Sequence, residues 1–147
     1  MKKLIFLSLI FFLFGCATPY QPLGFSGGYD DTRLGDDIFL VNFRGNGYTS
    51  QSKSFDYTLL RASELLIEAG YPYFTIISDN DVSKTGLVFM GQSQTYGGST
   101  STGGSAVPIT KPGNRLIVQG FKNKPSSGAV FDAALIKNNI RQKYSIK

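Results

Sequence analysis

The chain has 147 residues, enough for one domain with a hydrophobic core, and its 15 Lys and Arg against 10 Asp and Glu give a formal net charge of +5. The single cysteine excludes a disulfide within the chain, and the absence of histidine removes the commonest metal ligand and the commonest general base. The basic residues form no cluster in the sequence, so the mild positive charge does not predict nucleic-acid binding.

The N-terminal residues have the pattern of a secretory signal. Lys2 and Lys3 form a short positive region, and residues 4–14 are apolar apart from Ser8. This apolar run has the length of a signal-peptide core and is too short to cross a membrane, which takes roughly 20 residues. We therefore predict that residues 1–15 are removed, which lowers the formal charge from +5 by two lysines to +3.

The residues around the predicted cleavage point resemble a lipobox, the recognition sequence of lipoprotein signal peptidase. Leu13 stands at −3 and Gly15 at −1 as in that pattern, whereas Phe14 at −2 is bulkier than usual. Cys16 at +1 would carry diacylglycerol as a thioether and an acyl chain on its freed amine, and several chains together hold a protein stably at a membrane. The alternative is a secreted protein with an incidental cysteine. In Gram-negative lipoproteins Asp at +2 usually signals inner-membrane retention, so by resemblance to that rule Ala17 indicates the outer membrane. A location facing the periplasm is a separate expectation.

Residues 16–37 are predicted to form a lipidated tether, and residues 38–147 a single domain. The tether is rich in Pro and Gly and has little apolar periodicity, which disfavours a packed helix or a central strand. Its aromatic residues Tyr20, Phe25 and Tyr29 are more than a linker requires. They either pack back on the domain or are solvated.

The domain is predicted to begin with a strand and a helix. Residues 38–44 have the alternation of a strand, in which Phe39, Val41 and Phe43 point to the face expected to be buried. Residues 52–69 carry apolar side chains at helical spacing, and Ser50 or Ser52 could cap the start of this helix. Gly70 stands where a glycine commonly ends a helix.

The rest of the chain predicts three strands and a long loop. Residues 71–78, 87–94 and 115–121 are the predicted strands, and Asp79-Asn80-Asp81 is predicted to be a turn after the first of them. Residues 96–114 are rich in Gly, Ser and Thr and are predicted to form a mobile loop.

A second helix is predicted at residues 128–144, which gives the element order β-α-β-β-β-α. We expect an α+β fold of two layers, with a sheet of about four strands and both helices on one face. The first two strands could be joined by a crossover through the first helix, and the last three are expected to form a meander.

The second helix carries three cations toward its end, Lys137, Arg141 and Lys143. They form either a solvated basic end of this helix or contacts with anionic lipid headgroups.

Four carboxylates are the candidates for catalysis. Glu64 and Glu68 are four residues apart on one helix face, where a solvated surface explains them more simply than acid–base chemistry. The spacing of Asp79 and Asp81 resembles the start of a calcium-binding loop, but the Gly and the later Glu that such a loop requires are missing, so no metal site is predicted.

Residues 45–47 (GNG) lack the spacing and the Lys-Ser/Thr ending of a phosphate-binding loop. They are therefore predicted to be a turn, and no cofactor site is predicted.

Five motifs taken together resemble a family of small, uncharacterised proteobacterial lipoproteins. They are residues 16–22 (CATPYQP), 27–29 (GGY), 45–47 (GNG), 59–65 (LLRASEL) and 70–74 (GYPYF). The resemblance covers residues 16–77, about half of the predicted mature chain. It implies lipidation at Cys16 and a location in the cell envelope, and it implies no activity.

We therefore expect a lipid-anchored envelope protein with a non-catalytic binding, scaffolding or assembly role. Its expected partners are membrane lipid, through acylated Cys16, and another envelope protein. The alternative is an enzyme acting on an envelope polymer such as peptidoglycan, which would have to use Asp79 with Asp81 or Glu64 with Glu68.

Overall fold

The computed structural model of the protein describes residues 17–96 and 99–147, and within them it describes the side chains outside residues 86–107. The lipobox residues Leu13, Phe14, Gly15 and Cys16 lie outside the described residues. The elements in chain order are β1 (Gly28–Arg33), β2 (Ile38–Arg44), α1 (Gln51–Glu68), β3 (Tyr73–Asp81), β4 (Lys84–Tyr96), β5 (Ser99–Lys111), β6 (Gly113–Phe121), β7 (Phe131–Asp132) and α2 (Ala133–Tyr144).

Five strands form one antiparallel sheet in the order β1-β2-β6-β3-β7, and β4 and β5 form a separate two-stranded hairpin. β2 and β3 both run antiparallel to β6, which lies between them. They are therefore parallel to each other, and α1 is the crossover that joins them.

One hydrophobic core joins the sheet to both helices. Its buried members are Phe39 and Val41 of β2, Leu116 and Val118 of β6, Phe74 of β3, Leu59, Leu60, Ala62 and Leu66 of α1, and Ala133 and Ile140 of α2. The strand residues in this set alternate along the chain, so they point to one face of the sheet, where both helices cover them. The predicted two-layer α+β fold is confirmed.

Local signals set the ends of α1 as the sequence predicts. The Ser50 side chain caps the helix by accepting a hydrogen bond from the Lys53 N–H at 3.1 Å. Gly70 follows with a φ of 83°, and the N–H of Tyr71 donates to the Leu66 carbonyl at 2.8 Å. This left-handed glycine and the six-residue hydrogen bond form a Schellman ending.

The sheet is larger than predicted because residues 28–33 form an edge strand. β1 pairs with β2 from Gly28 opposite Arg44 to Arg33 opposite Phe39. The tether predicted for residues 16–37 is therefore wrong for most of its length, since this segment is part of the domain. Periodicity missed β1 because only Gly28 is buried in it, and an edge strand with polar side chains carries no apolar alternation.

The predicted meander is also wrong. Residues 79–81, predicted as a turn, are the end of β3, whose partner is β6 rather than the next strand. The predicted strand at 87–94 lies in β4 and the predicted loop at 96–114 contains β5, so these segments pair with each other instead. Their hairpin starts just beyond the β3–β6 ladder, with Lys84 opposite Lys111.

The second helix starts later than the predicted residue 128. Asp132, the last residue of the short strand β7, is its N-cap and accepts a hydrogen bond from the Leu135 N–H at 2.9 Å. At the other end Ser145 adopts a left-handed φ of 52°, and Arg141 and Lys143 lie in the last turn, as predicted.

Candidate functional site

The segment that follows Cys16 is built into the domain from its second residue onward. Thr18 is fully buried, and its N–H donates to the Thr49 hydroxyl at 3.0 Å. Its own hydroxyl donates to the Ser26 carbonyl at 2.8 Å and accepts from the Asn46 N–H at 2.9 Å. Thr18 therefore fixes the N-terminal segment to two loops, residues 23–27 before β1 and residues 45–50 before α1.

Tyr20 attaches the same segment to the helices. Its hydroxyl donates to Glu64 Oε2 at 2.5 Å, and its ring lies 4.8 Å from that of Tyr29 and 5.4 Å from that of Tyr57. Burial, and then the hydrogen bond to Glu64, raise the pKa of Tyr20 well above its ordinary value. Of the two alternatives for the N-terminal aromatics, Tyr20 follows the one in which they pack back on the domain.

Glu64 is the buried centre of a partly exposed ion cluster. Arg141 donates to Glu64 Oε1 from Nη2 at 2.6 Å and from Nε at 3.2 Å. Arg61 Nη1 lies 3.8 Å from Oε2, so the predicted pair of Arg61 and Glu64 is present, although Glu64 is buried rather than on the surface. Arg61 also donates to Asp31 at 2.9 Å, which ties the edge strand to α1.

The candidate carboxylates do not converge on one site. Glu64 is held by the two arginines and Tyr20, whereas Glu68 is exposed one turn later. Asp79 accepts from the Asn114 side chain at 3.2 Å, and Asp81 accepts from the Ser83 N–H at 2.8 Å.

The acidic residues of the described chain also make no metal centre. In residues 17–96 and 99–147, no three His, Cys, Asp or Glu side chains are placed to hold a metal ion. The Asp79-Asn80-Asp81 motif belongs to the end of β3, and its hydrogen bonds to Ser83 lower the pKa of Asp81. It serves as a local cap at this strand end.

A different set of residues gathers at the end of the sheet where β1 begins, β2 ends and β6 begins. The loops 23–27 and 45–50 and the base of the β4–β5 hairpin meet there. We call this surface the basic end face and define it by its exposed apolar and cationic side chains: Leu23, Phe25, Arg44, Tyr48, Lys84, Lys111 and Arg115.

The apolar part of the basic end face projects from the domain. Phe25 is fully exposed, with a relative accessibility of 112%, and Tyr48 and Leu23 are exposed at 74% and 41%. Phe25 stands on a tight turn in which the backbones of Gly24 and Gly27 exchange two hydrogen bonds of 3.1 Å. Gly27 has a φ of 99°, and a Cβ there would lie 2.2 Å from the Arg44 carbonyl oxygen, so this turn requires glycine.

The cationic part surrounds a cavity of about 260 Å³. Arg44, Lys84, Lys111 and Arg115 line this cavity, and no carboxylate is among its lining residues. Arg115 donates to the Asn42 side chain at 2.8 Å. The other three cations make no ion pair within the part of the chain that the structure describes.

Two further cavities connect the cationic and apolar parts. One, of about 300 Å³, shares Arg44 and Lys111 with the first and is lined by Leu23 and Phe25. The other, of about 500 Å³, lies between Tyr48 and Lys111. The basic end face is thus one continuous surface that combines unpaired positive charge with exposed aromatic rings, a combination suited to binding anions that adjoin apolar groups.

The sequence pointed to a different set of cations. Of Lys137, Arg141 and Lys143, the three cations of the second helix considered as lipid contacts, Arg141 is paired with Glu64 at 2.6 Å and Lys143 with Asp56 at 2.7 Å. The cations of the basic end face lie up to 71 residues apart, from Arg44 to Arg115 (115 − 44 = 71), and only the strand pairing brings them together. The sequence signal for them was a cation at or near several strand ends.

Comparison with models of protein families, with curated proteins and with solved structures finds no match to this chain. Among the helices that the structure describes, none is long and apolar enough to cross a membrane.

Proposed function

We propose that the protein is a cell-envelope lipoprotein, lipid-anchored through Cys16 in the outer membrane and facing the periplasm, and that its domain acts by binding rather than by catalysis. The sequence supports the anchor through the signal-like residues 1–15, the lipobox Leu13-Phe14-Gly15-Cys16, and the position of the lone cysteine within it. Ala17 at +2 supports the outer membrane. The resemblance to proteobacterial lipoproteins supports the same assignment.

One observation supports a binding role most strongly: the basic end face adjoins the point where the N-terminal segment enters the domain. Thr18 is hydrogen-bonded to both loops that carry the exposed aromatic residues of the basic end face. Three of its cations have no carboxylate partner in the described structure, so they remain available to an external anion. In contrast, Glu64, which the alternative enzymatic mechanism would use, is occupied by arginine.

The anchor is tested by replacing Cys16 with Ser and labelling cells with an alkyne fatty acid. We expect the wild-type protein to carry the label and to fractionate with outer membranes, and the variant to lose both properties. Label retained on the Cys16→Ser protein would refute lipidation at this residue. Ala17→Asp is the matched control, since it should keep the label and move the protein to the inner membrane.

The binding role is tested by crosslinking in intact cells, followed by purification of the crosslinked complexes from membranes. We expect a defined envelope protein to be recovered with the wild-type chain. Incubation of the protein with purified sacculi tests the opposite outcome. Release of peptidoglycan fragments that is lost on Asp79→Asn with Asp81→Asn, and unaffected by Glu68→Gln, would replace the binding role with the hydrolytic one.

A further inference from the structure

We propose that the basic end face lies against the phospholipid surface that holds the lipid anchor. Phe25 and Leu23 would lie at the boundary of the acyl chains, and Arg44, Lys84, Lys111 and Arg115 would contact lipid phosphates. This inference rests on the proposed acylation of Cys16. It goes beyond anchoring, because it assigns the bound ligand and the orientation of the domain.

The length of the connection between anchor and domain is the first argument. Cys16 precedes the buried Thr18 by two residues, which span about 7 Å when fully extended. Thr18 is hydrogen-bonded to Ser26, which directly follows Phe25, and to Asn46, which precedes Tyr48 by two residues. The glycerol attached to Cys16 must therefore lie close to these loops.

The exposed apolar side chains are the second argument. Phe25 projects completely from a turn whose backbone is fixed by Gly24 and Gly27, so the exposure belongs to the fold and not to a loose loop. Tyr48 presents an aromatic ring with a polar hydroxyl, and aromatic side chains of this kind are enriched where membrane meets water. A bilayer surface would cover both residues.

Charge complementarity is the third argument. Four cations surround a cavity without a carboxylate, and the phosphates of a bilayer surface offer negative charge at the depth where exposed aromatic rings enter the interface. Stable membrane attachment commonly combines acyl chains with a basic patch, and here the patch lies beside the acylated end. The hairpin leaves the domain at Lys84 and Lys111, so its base would also lie at the bilayer surface.

The absence of tryptophan from the chain allows a direct test of this orientation. Phe25→Trp places the only tryptophan of the chain on the basic end face. Leu135→Trp is the matched control, because Leu135 is also exposed, at 58%, and lies at the opposite end of the sheet, where Ala133 bonds to Pro72. Both full-length proteins are produced in cells, and the purified mature forms are reconstituted into vesicles of phosphatidylethanolamine and phosphatidylglycerol.

Mass spectrometry of the N-terminal peptide first establishes acylation of Cys16. A peptide without acyl chains would refute the proposed anchor, separately from the orientation. In acylated protein we expect the tryptophan emission of the Phe25→Trp variant to shift to the blue and to be quenched at least about twofold by brominated acyl chains, while the emission of the Leu135→Trp variant stays unchanged. Equal, water-like emission from the two acylated variants would overturn the inference.

The cations are tested in the Phe25→Trp protein with Arg44→Gln and Lys111→Gln. We expect the quenching by brominated lipid to fall in this variant, and to weaken in the parent as salt is raised. Quenching unchanged by both treatments would overturn the phosphate contacts. A blue shift that needs an added membrane-protein fraction, and not lipid, would overturn the lipid assignment and give the face to a protein partner.

Discussion

The most informative perturbation of the fold is Glu64→Gln, because this residue joins three parts of the chain. Its carboxylate accepts from Tyr20 of the N-terminal segment and from Arg141 of the last helix, and it lies 3.8 Å from Arg61 of its own helix. The substitution keeps the size of the side chain and removes its charge. The matched control is Glu68→Gln, the same change one turn later on an exposed position.

The expected loss follows from the exposure of the groups involved. The Glu64 side chain is 11% exposed and that of Arg141 is 32% exposed, so the pair is partly screened by solvent. Hydrogen bonds to charged groups contribute about 1.5–3 kcal/mol, and breaking a fully buried pair costs about 3–5 kcal/mol. Because Gln retains one acceptor and Arg141 reaches solvent, we expect Glu64→Gln to lower the free energy of unfolding by about 2 kcal/mol, whereas Glu68→Gln should change it by less than about 0.5 kcal/mol.

Thermal unfolding followed by circular dichroism measures the difference. For a domain of this length, about 2 kcal/mol corresponds to a fall in Tm of about 7 °C. A double-mutant cycle of Glu64→Gln with Arg141→Met should give a coupling energy of at least about 1 kcal/mol. Equal Tm values for Glu64→Gln and Glu68→Gln, or additive effects in the cycle, would refute the view that this cluster holds the N-terminal segment and the two helices together.

Three further substitutions test separate features of the fold. Ser145→Gly should raise the free energy of unfolding by about 0.5 kcal/mol in denaturant titrations, because it relieves the left-handed φ of 52° after α2; a loss of stability would contradict this. Gly120→Ala should lower it by about 1–3 kcal/mol, because its Cβ would lie 2.6 Å from Tyr71 and 2.7 Å from Leu66; a neutral effect would show that these side chains can move. Burial raises the pKa of Tyr20, so the unfolded state ionises first and stability falls as pH rises above about 10. Tyr20→Phe should therefore weaken the fall of the free energy of unfolding with pH in that range, as measured by denaturant titrations at several pH values, and an unchanged slope would contradict the raised pKa.

The elements that could be predicted from sequence are those with one buried face. β2 and α1 have apolar periodicity, and α1 also has local caps, since Ser50 and Gly70 set its boundaries within one residue of the prediction. The central strands and both helices therefore followed from residue spacing and led to the correct two-layer class.

The elements that could not be predicted are those whose pairing partners are distant or whose faces are polar. β1 gains its place from backbone bonds to β2 and from Arg61 reaching Asp31, neither of which leaves an apolar pattern. β5 is composed largely of Gly, Ser and Thr, so its composition resembles a loop although its backbone pairs with β4.

The basic end face was missed for a related reason. Its residues are scattered single cations and aromatics, each of them ordinary in its own segment. The strand order, with β6 between β2 and β3, is what brings Arg44, Lys84 and Arg115 around one cavity. Knowing where the strands lie in the sequence is therefore not enough to predict such a surface, because the order of the strands in the sheet decides which residues meet.

The burial of Thr18 has a consequence for how strongly the end face needs to bind. Short flexible linkers give effective concentrations in the millimolar range, and a connection of two residues lies at the short limit of that relation. With Cys16 acylated, a face whose intrinsic dissociation constant for lipid is itself about millimolar would be occupied for much of the time. Weak individual contacts are then sufficient. A single substitution such as Phe25→Ser would then change the tilt of the domain on the membrane, while the acyl chains would still hold the protein there.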